Sequence, residues 1–171
     1  MQEDKIIGNE IVSLMGFSES DDRMLDLFEK LGVDKNEFDR DEDDGSFRID
    51  LEDEKGLILS FDSSTPIEIK NSKYIGGQYL ACIFFYYDFE LLPYGLQELD
   101  SLEIIENKIG KKANYINKEN KEKLYWMYKD LMWFTIIFED ETYSEINTIQ
   151  INYYSNPEDS EMLEIMEPFK R

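Results

Sequence analysis

The sequence predicts an α+β fold in which two tandem helix-plus-three-strand repeats form an antiparallel sheet with helices packed on it. The apolar helical pattern that ends at Gly32 recurs before Gly110, 78 positions later. The run Leu57–Asp62 is matched by Phe134–Glu139, 77 positions later. Two blocks that keep register over about 40 residues indicate duplication of one supersecondary unit. Strands that follow a helix and are joined by hairpin turns favour antiparallel pairing.

The first repeat covers about residues 15–87 and begins with a helix. Polar groups at Ser18, Ser20 and Asp21 are suited to capping a helix over 22–31, which Gly32 ends because glycine adopts the left-handed conformation at little cost. Apolar and charged residues alternate over 47–52, which predicts a half-buried strand. The pattern then predicts a turn at Lys55-Gly56 and two further strands, Leu57–Phe61 and Tyr79–Tyr87.

The second repeat covers about residues 92–154 and follows the same order. Asp100 is a candidate N-cap, and Glu103, three positions later, completes a capping box for a helix that Gly110 ends. A lysine-rich linker follows. The three strands of this repeat are predicted at Leu124–Tyr128, Met132–Phe138 and Ile146–Tyr154.

Short helices are predicted outside the repeats, and the whole chain, 1–171, is expected to form a single domain. The N-terminal helix is predicted over 5–14, where apolar residues have helical spacing. The C-terminal helix is predicted around Met162, Ile165 and Met166, and Pro168 breaks it.

Composition restricts the function. A hydrophobic share of 42% argues against disorder despite a net charge of −21. No apolar run approaches membrane-spanning length, and Met1–Lys5 does not begin a signal peptide, so we expect a cytoplasmic protein with no membrane partner. The chain contains no histidine, which excludes Ser-His and Cys-His nucleophile activation. We therefore expect no enzyme activity, no cofactor and no metal site.

The negative charge predicts the class of partner. A net charge of −21 opposes approach to nucleic acid or an anionic bilayer, and it attracts a basic protein. The alternative is that acidity serves only solubility. The lone cysteine, Cys82, lies in an apolar run and is expected to be a small buried hydrophobe without a reactive thiol.

Acidic residues between Asp39 and Glu54 are the first candidate partner-binding group. As a calcium loop the segment fails, because Asp44 and Asp50 stand where the invariant glycine and the bidentate glutamate belong. Two interpretations are left: a solvated loop, or carboxylates that meet the arginines and lysines of a basic partner. The candidate residues are Asp39, Asp41, Glu42, Asp43, Asp44, Glu52, Asp53 and Glu54.

Tyr125 and Met127 are the second candidate group. They lie on the face of the fourth predicted strand opposite Trp126, where the first repeat has the charged residues Arg48 and Asp50. Replacement of charge by an aromatic residue and methionine predicts a covered face, because both are enriched at interfaces. The cover is either the other half of the same molecule, which we favour, or a partner.

The segment 92–96 (Leu-Pro-Tyr-Gly-Leu), followed by Asp100-Ser101, 108–111 (Lys-Ile-Gly-Lys) and an aromatic hairpin, resembles small immunity proteins of bacterial polymorphic-toxin and contact-dependent growth inhibition systems. The resemblance covers about residues 90–154 and, more weakly, 15–62. It implies a cytoplasmic protein that binds and neutralises one cognate toxin domain. The layout also looks like that of secreted β-lactamase inhibitor proteins, which have a signal peptide and disulfides that this sequence lacks.

Together these features favour an immunity protein that neutralises a cognate toxin domain, a basic nuclease. The alternative is an acidic DNA mimic that inhibits a DNA-binding enzyme, for which carboxylates must spread along an elongated face. A small hydrolase is disfavoured, because without histidine it would require a bound metal.

Overall fold

The computed structural model describes residues 7–63, 77–127, 132–153 and 162–171, and within them the fold is α+β. An eight-stranded antiparallel sheet is accompanied in these ranges by five short helices. The strands are β1 (Phe47–Leu51), β2 (Leu57–Asp62), β3 (Tyr79–Tyr86), β4 (Tyr115–Asn117), β5 (Lys123–Met127), β6 (Met132–Phe138), β7 (Ile146–Tyr153) and β8 (Met166–Pro168). The helices are α1 (Gly8–Ser13), α2 (Asp22–Leu31), α3 (Glu52–Lys55), α4 (Leu102–Ile109) and α5 (Met162–Ile165).

The strands lie in the order β1-β2-β3-β7-β6-β5-β4-β8, and every adjacent pair is antiparallel. The antiparallel pairing predicted from the hairpin turns is therefore confirmed. In the part of the chain that the structure describes, β1 and β8 are the two edge strands.

One face of the sheet forms the main core. A single row of paired residues crosses six strands, and each side chain in it is buried: Ile49, Leu59, Ile83, Ile151, Phe134 and Trp126. The apolar side of α2 (Met24, Leu27, Phe28 and Leu31) and Ile105 of α4 belong to the same cluster. Burial of these alternating and helical patterns supplies the main favourable free energy of folding.

Helix α2 begins and ends where the sequence predicts. The Asp21 carboxylate accepts a hydrogen bond from Arg23 N at 3.0 Å, and Gly32 ends the helix with a φ of 72°. The capping box proposed for α4 is wrong. Ser101 is the N-cap, and the Asp100 carboxylate instead accepts hydrogen bonds from Gln97 N at 2.8 Å and Lys108 Nζ at 2.6 Å. Asp100 thus ties the turn before α4 to the last turn of the helix.

Other differences are local. The expected turn at Lys55-Gly56 is preceded by the one-turn helix α3, which Gly56 ends at a φ of 62°. The three-residue strands β4 and β8 have no counterpart in the predicted repeat, and β8 occupies the stretch expected to continue the C-terminal helix to Pro168. The predictions at 5–6, Tyr128 and Tyr154 lie outside the described residues. Among the described helices, none is long and apolar enough to cross a membrane.

Candidate functional site

The predicted acidic residues lie at the two ends of edge strand β1. Asp39, Asp41, Glu42, Asp43 and Asp44 precede the strand, whereas Glu52, Asp53 and Glu54 form α3 directly after it. All eight residues are exposed. Because a strand rises about 3.4 Å per residue, five residues separate the two groups by about 17 Å. We call the eight carboxylates the acidic rim, and the segment 39–44 the acidic loop.

The acidic loop is shaped by its own carboxylates. Asp41 accepts hydrogen bonds from Asp43 N at 2.8 Å and Asp44 N at 3.3 Å, and Asp44 accepts one from Ser46 N at 2.8 Å. Hydrogen bonds from the hydroxyl and then the amide of Ser46 hold the pKa of Asp44 below its ordinary value. Asp41 and Asp44 therefore fix the turn, a common role of aspartate, and leave Glu42 and Asp43 projecting into solvent.

The acidic rim has no cation paired with it inside the described part of the molecule. The two arginines nearest in sequence are bound elsewhere: Arg40 lies 3.0 Å from Glu19 Oε2, and Arg48 lies 3.3 Å from Asp50 Oδ2. None of the eight rim carboxylates takes part in an ion pair with a described residue. The rim is consequently a source of uncompensated negative potential.

At the α3 end, the rim meets the face of the sheet opposite the main core. Tyr86 of β3 lies beside Glu52, and burial, followed by the negative charge of Glu52, raises the pKa of the Tyr86 hydroxyl. Tyr86 therefore stays a neutral phenol beside the rim at physiological pH.

Tyr125 and Met127 lie far from the acidic rim. Their strand, β5, is five strands away from β1, about 24 Å at the usual spacing between strands. Tyr125 is 3% exposed, packs with Trp133 and Met166, and accepts a hydrogen bond from Asn117 Nδ2 at 2.9 Å. Met127 is partly buried against the same cluster. Cover of Tyr125 thus comes from the chain itself, but from its own half and from Met166 and not from the first half, as was favoured. The structure does not join this pair to the rim.

A groove beside the acidic loop is lined by residues that were not among the predicted site residues. Glu19 and Arg40, with the aromatic rings of Phe28 and Phe38, line a groove of about 380 Å³. The Arg40 guanidinium also lies 4.5 Å from the centre of the Phe47 ring. The one sequence signal for this groove is Phe38, an aromatic residue placed among charged neighbours directly before the loop.

A second groove lies at the other end of the sheet and has a different charge. It measures about 830 Å³ and combines Lys111, Lys112 and Arg171 with Glu103 and Glu106 of α4. Its charges are largely balanced, so the acidic rim is the more strongly charged surface. Among the described residues, no three His, Cys, Asp or Glu side chains are placed to hold a metal ion.

Cys82 is predicted to be almost unreactive at neutral pH. The thiol lies in β3, and burial raises its pKa to about 12, an effect that outweighs the hydrogen bond from Gln150. Since the thiolate is the nucleophile, alkylation of the native protein by iodoacetamide at pH 7.5 should be at least about 100-fold slower than alkylation in urea. Mass spectrometry of timed samples measures both rates. Cys82 is half-buried, less than the sequence predicts, and equal rates in the two conditions would contradict its raised pKa.

No protein-family model, curated protein or solved structure matches the chain significantly. The functional argument therefore rests on the geometry and charge of the molecule.

Proposed function

We propose that this chain is an immunity protein that binds and neutralises one cognate bacterial toxin domain, a basic nuclease, in the cytoplasm. It acts stoichiometrically, without catalysis or a cofactor. The observation that carries the proposal is the acidic rim: eight exposed carboxylates at both ends of one edge strand, none of them in an ion pair with a described residue.

Clustered like charges destabilise a free protein, and a basic partner removes that cost. Carboxylates form strong charge-assisted hydrogen bonds with arginine and lysine, the groups by which a nuclease holds phosphates. An acidic surface also steers a basic partner and raises the association rate. The rim therefore supports recognition of a nuclease through the cationic groups that the nuclease needs for its substrate.

We also propose that the fold arose from two tandem helix-plus-three-strand repeats within one domain. The order β1-β2-β3-β7-β6-β5 supports this, since the first, second and third strands of each half mirror one another across the β3–β7 pair. Both helices end at a left-handed glycine, with φ values of 72° at Gly32 and 76° at Gly110.

The proposed halves carry different charge, which supports partner binding by the first. In the second half, the stretch between helix and hairpin is basic where the first half has the acidic loop. Residues 108–123 contain six lysines and two glutamates. The two copies share apolar positions but differ in charge at this place, and this difference supports contact with a basic partner through the first copy.

Co-expression tests the function. The first step is to determine whether the adjacent upstream gene encodes a large secreted protein with a variable C-terminal domain, which would then be the toxin domain to test. Cells that express the toxin domain with this chain are expected to grow, and the two proteins should co-purify as a one-to-one complex. Cells expressing the toxin domain alone, or with an unrelated acidic protein, serve as controls. Growth arrest despite ample soluble chain would refute the proposal.

The acidic DNA mimic is the second candidate, and the extent of the rim favours it. A separation of about 17 Å equals the rise of five nucleotides of one strand along the DNA axis, about 3.4 Å each. A mimic would displace DNA from several unrelated DNA-binding enzymes. An immunity protein instead blocks its cognate toxin alone, so a competition assay over a panel of DNA-binding enzymes distinguishes the two.

A further inference from the structure

The outer edge of β1 is open beyond its first residue. In the described part of the chain, β1 pairs with β2 on one side, and on the other side the isolated pair Arg40–Phe47 lies at its start. From Arg48 to Leu51, no described strand lies beside this edge. The other edge strand, β8, has only three residues and includes Pro168. An unpaired edge strand offers its backbone groups to another chain, and β1 is the better edge for such pairing.

The strand register shows which backbone groups of β1 face outward. Gly56 O accepts a hydrogen bond of 2.9 Å from β3, so the next residue, Leu57, directs its N–H to the other side, toward β1. Leu57 is paired with Leu51, whose backbone therefore points to β2. Because this direction alternates along a strand, the N–H and C=O groups of Arg48 and Asp50 point away from the sheet.

The charges along the edge differ between its middle and its ends. In the middle, the exposed side chains of Arg48 and Asp50 lie 3.3 Å apart and neutralise each other. The ends carry the acidic rim, and no cation of the described chain is paired with it. An extended segment beside β1 would therefore meet negative charge at both of its ends and none in its centre.

A groove of about 630 Å³ lies at the acidic-loop end of the edge, between the loop and the strands β1 and β2. The arginines that line it, Arg40 and Arg48, are paired with carboxylates outside it. The groove is also lined by four carboxylates, those of Asp39, Asp41, Glu42 and Asp62. Its charge therefore favours a cationic side chain at this end of an added strand.

A second copy of this chain is a poor occupant of the edge. If two β1 strands paired antiparallel, the acidic loop of one copy would lie beside α3 of the other. If they paired in parallel, acidic loop would lie beside acidic loop. Both arrangements bring like charges together, which is unfavourable between neighbouring strands. The same carboxylates attract a strand of opposite charge, so they select against self-pairing and for a basic partner.

We propose that the outer edge of β1 pairs with an extended strand of the basic protein partner, which lengthens the sheet by one strand. This strand carries lysine or arginine at both ends, about 17 Å apart, where it meets the acidic loop and α3. Backbone hydrogen bonds supply affinity, and the terminal charges fix the register. The inference rests on the proposed function and deepens it, because it gives the backbone conformation and the charge pattern by which the partner binds.

The test uses the full chain and a peptide whose backbone can be blocked. The probe has two lysines at each end and the central sequence Thr-Val-Thr, with both termini capped. It is titrated into ¹⁵N-labelled protein while backbone amides are followed by NMR. We expect saturable shifts at Arg48, Asp50 and Leu51, a dissociation constant in the millimolar range, and slower hydrogen exchange of Asp50 N–H, because this group becomes hydrogen-bonded.

Two altered peptides separate backbone pairing from charge. N-methylation of the three central residues keeps every charge and removes the donors that a strand needs, so binding should weaken by about tenfold or more. Replacing the four lysines by glutamate keeps the donors and reverses the charge, and this peptide should not bind.

Matched variants show whether the backbone of Asp50 makes the contact. Asp50→Pro removes the outward N–H and leaves the bonds between β1 and β2 in place, since proline is tolerated on an edge strand where the N–H faces solvent. Asp50→Ala removes the same charge and keeps the N–H. The proline variant should bind the lysine peptide about tenfold more weakly than the alanine variant. Spectra without peptide check the fold of each variant, and the N-methylated peptide makes the same comparison on the unchanged protein.

Several results would overturn the inference: equal binding of the plain and N-methylated peptides, equal binding by the folded proline and alanine variants, or no saturable shift along β1. Self-association of the wild type that Asp50→Pro abolishes, measured by sedimentation velocity, would assign the edge to a second copy. Failure here is distinct from failure of the proposed function. A chain that protects cells but shows no backbone-dependent peptide binding refutes only the added strand, and the reverse result refutes only the immunity function.

Discussion

Neutralising the acidic loop is expected to slow association with the toxin domain by about 10-fold to 100-fold at low salt. The variant changes Asp41, Asp43 and Asp44 to Asn and Glu42 to Gln. The net charge becomes −17 instead of −21. The four residues are exposed and belong to no ion pair with a described residue. Their main contribution is therefore the attraction of a basic partner over a distance.

The free energy of unfolding should stay unchanged or rise slightly. Asparagine at positions 41 and 44 retains the side-chain oxygen that accepts the amide hydrogen bonds of the loop, so the turn is preserved. Removing clustered like charges relieves repulsion in the native state. Thermal unfolding measured by circular dichroism checks this part.

A control variant with the same change in net charge shows whether the position of the removed charges affects the association rate. Glu139, Asp140, Glu141 and Glu145 are exposed in the connection between β6 and β7, and Asp140 accepts a hydrogen bond from Thr142 N much as Asp41 does from Asp43 N. By the strand register, this connection lies at the end of the sheet opposite the acidic loop. Its amide variant should associate faster than the acidic-loop variant at every low-salt concentration.

Surface plasmon resonance across ionic strength measures both association rates. The loss in the acidic-loop variant should shrink as salt rises, since the screening length falls to about 3 Å near 1 M. A merely solvated loop would leave the low-salt association rate at the wild-type value, and that result would remove the loop from the interface. Equal losses in the two variants would show that net charge alone is responsible.

The sequence was sufficient for the parts of the fold that depend on local pattern. Alternation over 47–51 predicts β1, and the apolar spacing before Gly32 predicts α2, because burial of one face is what the pattern encodes. The strands β4 and β8 are too short to show alternation, and their pairing joins segments about 50 residues apart. Such pairing depends on tertiary contacts and leaves little local signal.

For the candidate site, the sequence predicted which residues are acidic but not where they lie in the fold. The acidic residues are visible in the sequence, but their placement at both ends of an edge strand follows from the sheet order. Tyr125 was correctly placed on the face opposite Trp126, yet what covers it is set by Met166, 41 positions away in the chain. The acidic loop is also joined to a distant segment, since Gln78 Nε2 donates a hydrogen bond to Asp44 O. Contacts of this kind are properties of the folded state.

Replacing Arg171 by methionine is expected to destabilise the protein by about 2 kcal/mol at neutral pH. Arg171 Nη1 donates to Glu106 Oε2 at 2.8 Å, and Nη2 donates to Glu106 Oε1. Glu106 is 9% exposed and also accepts a hydrogen bond from Ala113 N at 3.0 Å. Loss of one partner of a buried pair costs about 3–5 kcal/mol because the other charge stays buried. The Arg171 side chain is 38% exposed, and solvent screening reduces the expected effect.

The loss of stability in Arg171→Met is expected to depend on pH. Burial alone would raise the pKa of Glu106, but the hydrogen bonds from Arg171 and Ala113, with the charge of Arg171, outweigh burial and place the pKa below its ordinary value of 4.5. A lowered folded-state pKa contributes stability that is fully present above the unfolded pKa and is lost as pH falls through the folded value. In Arg171→Met, burial dominates and the pKa of Glu106 rises. The variant should therefore lose most stability at pH 7 and approach the wild type as pH falls through the lowered pKa that Glu106 has in the wild type.

A double variant shows whether the buried charge is the cause. Glu106→Gln retains an acceptor for Ala113 N and removes the charge, so Glu106→Gln with Arg171→Met should be more stable at pH 7 than Arg171→Met alone. Urea unfolding at pH 7 and pH 4 measures each free energy of unfolding. If Arg171→Met loses the same stability at both pH values, or if the double variant is no more stable, the contribution of Arg171 is packing against Phe169 and not its pairing with Glu106.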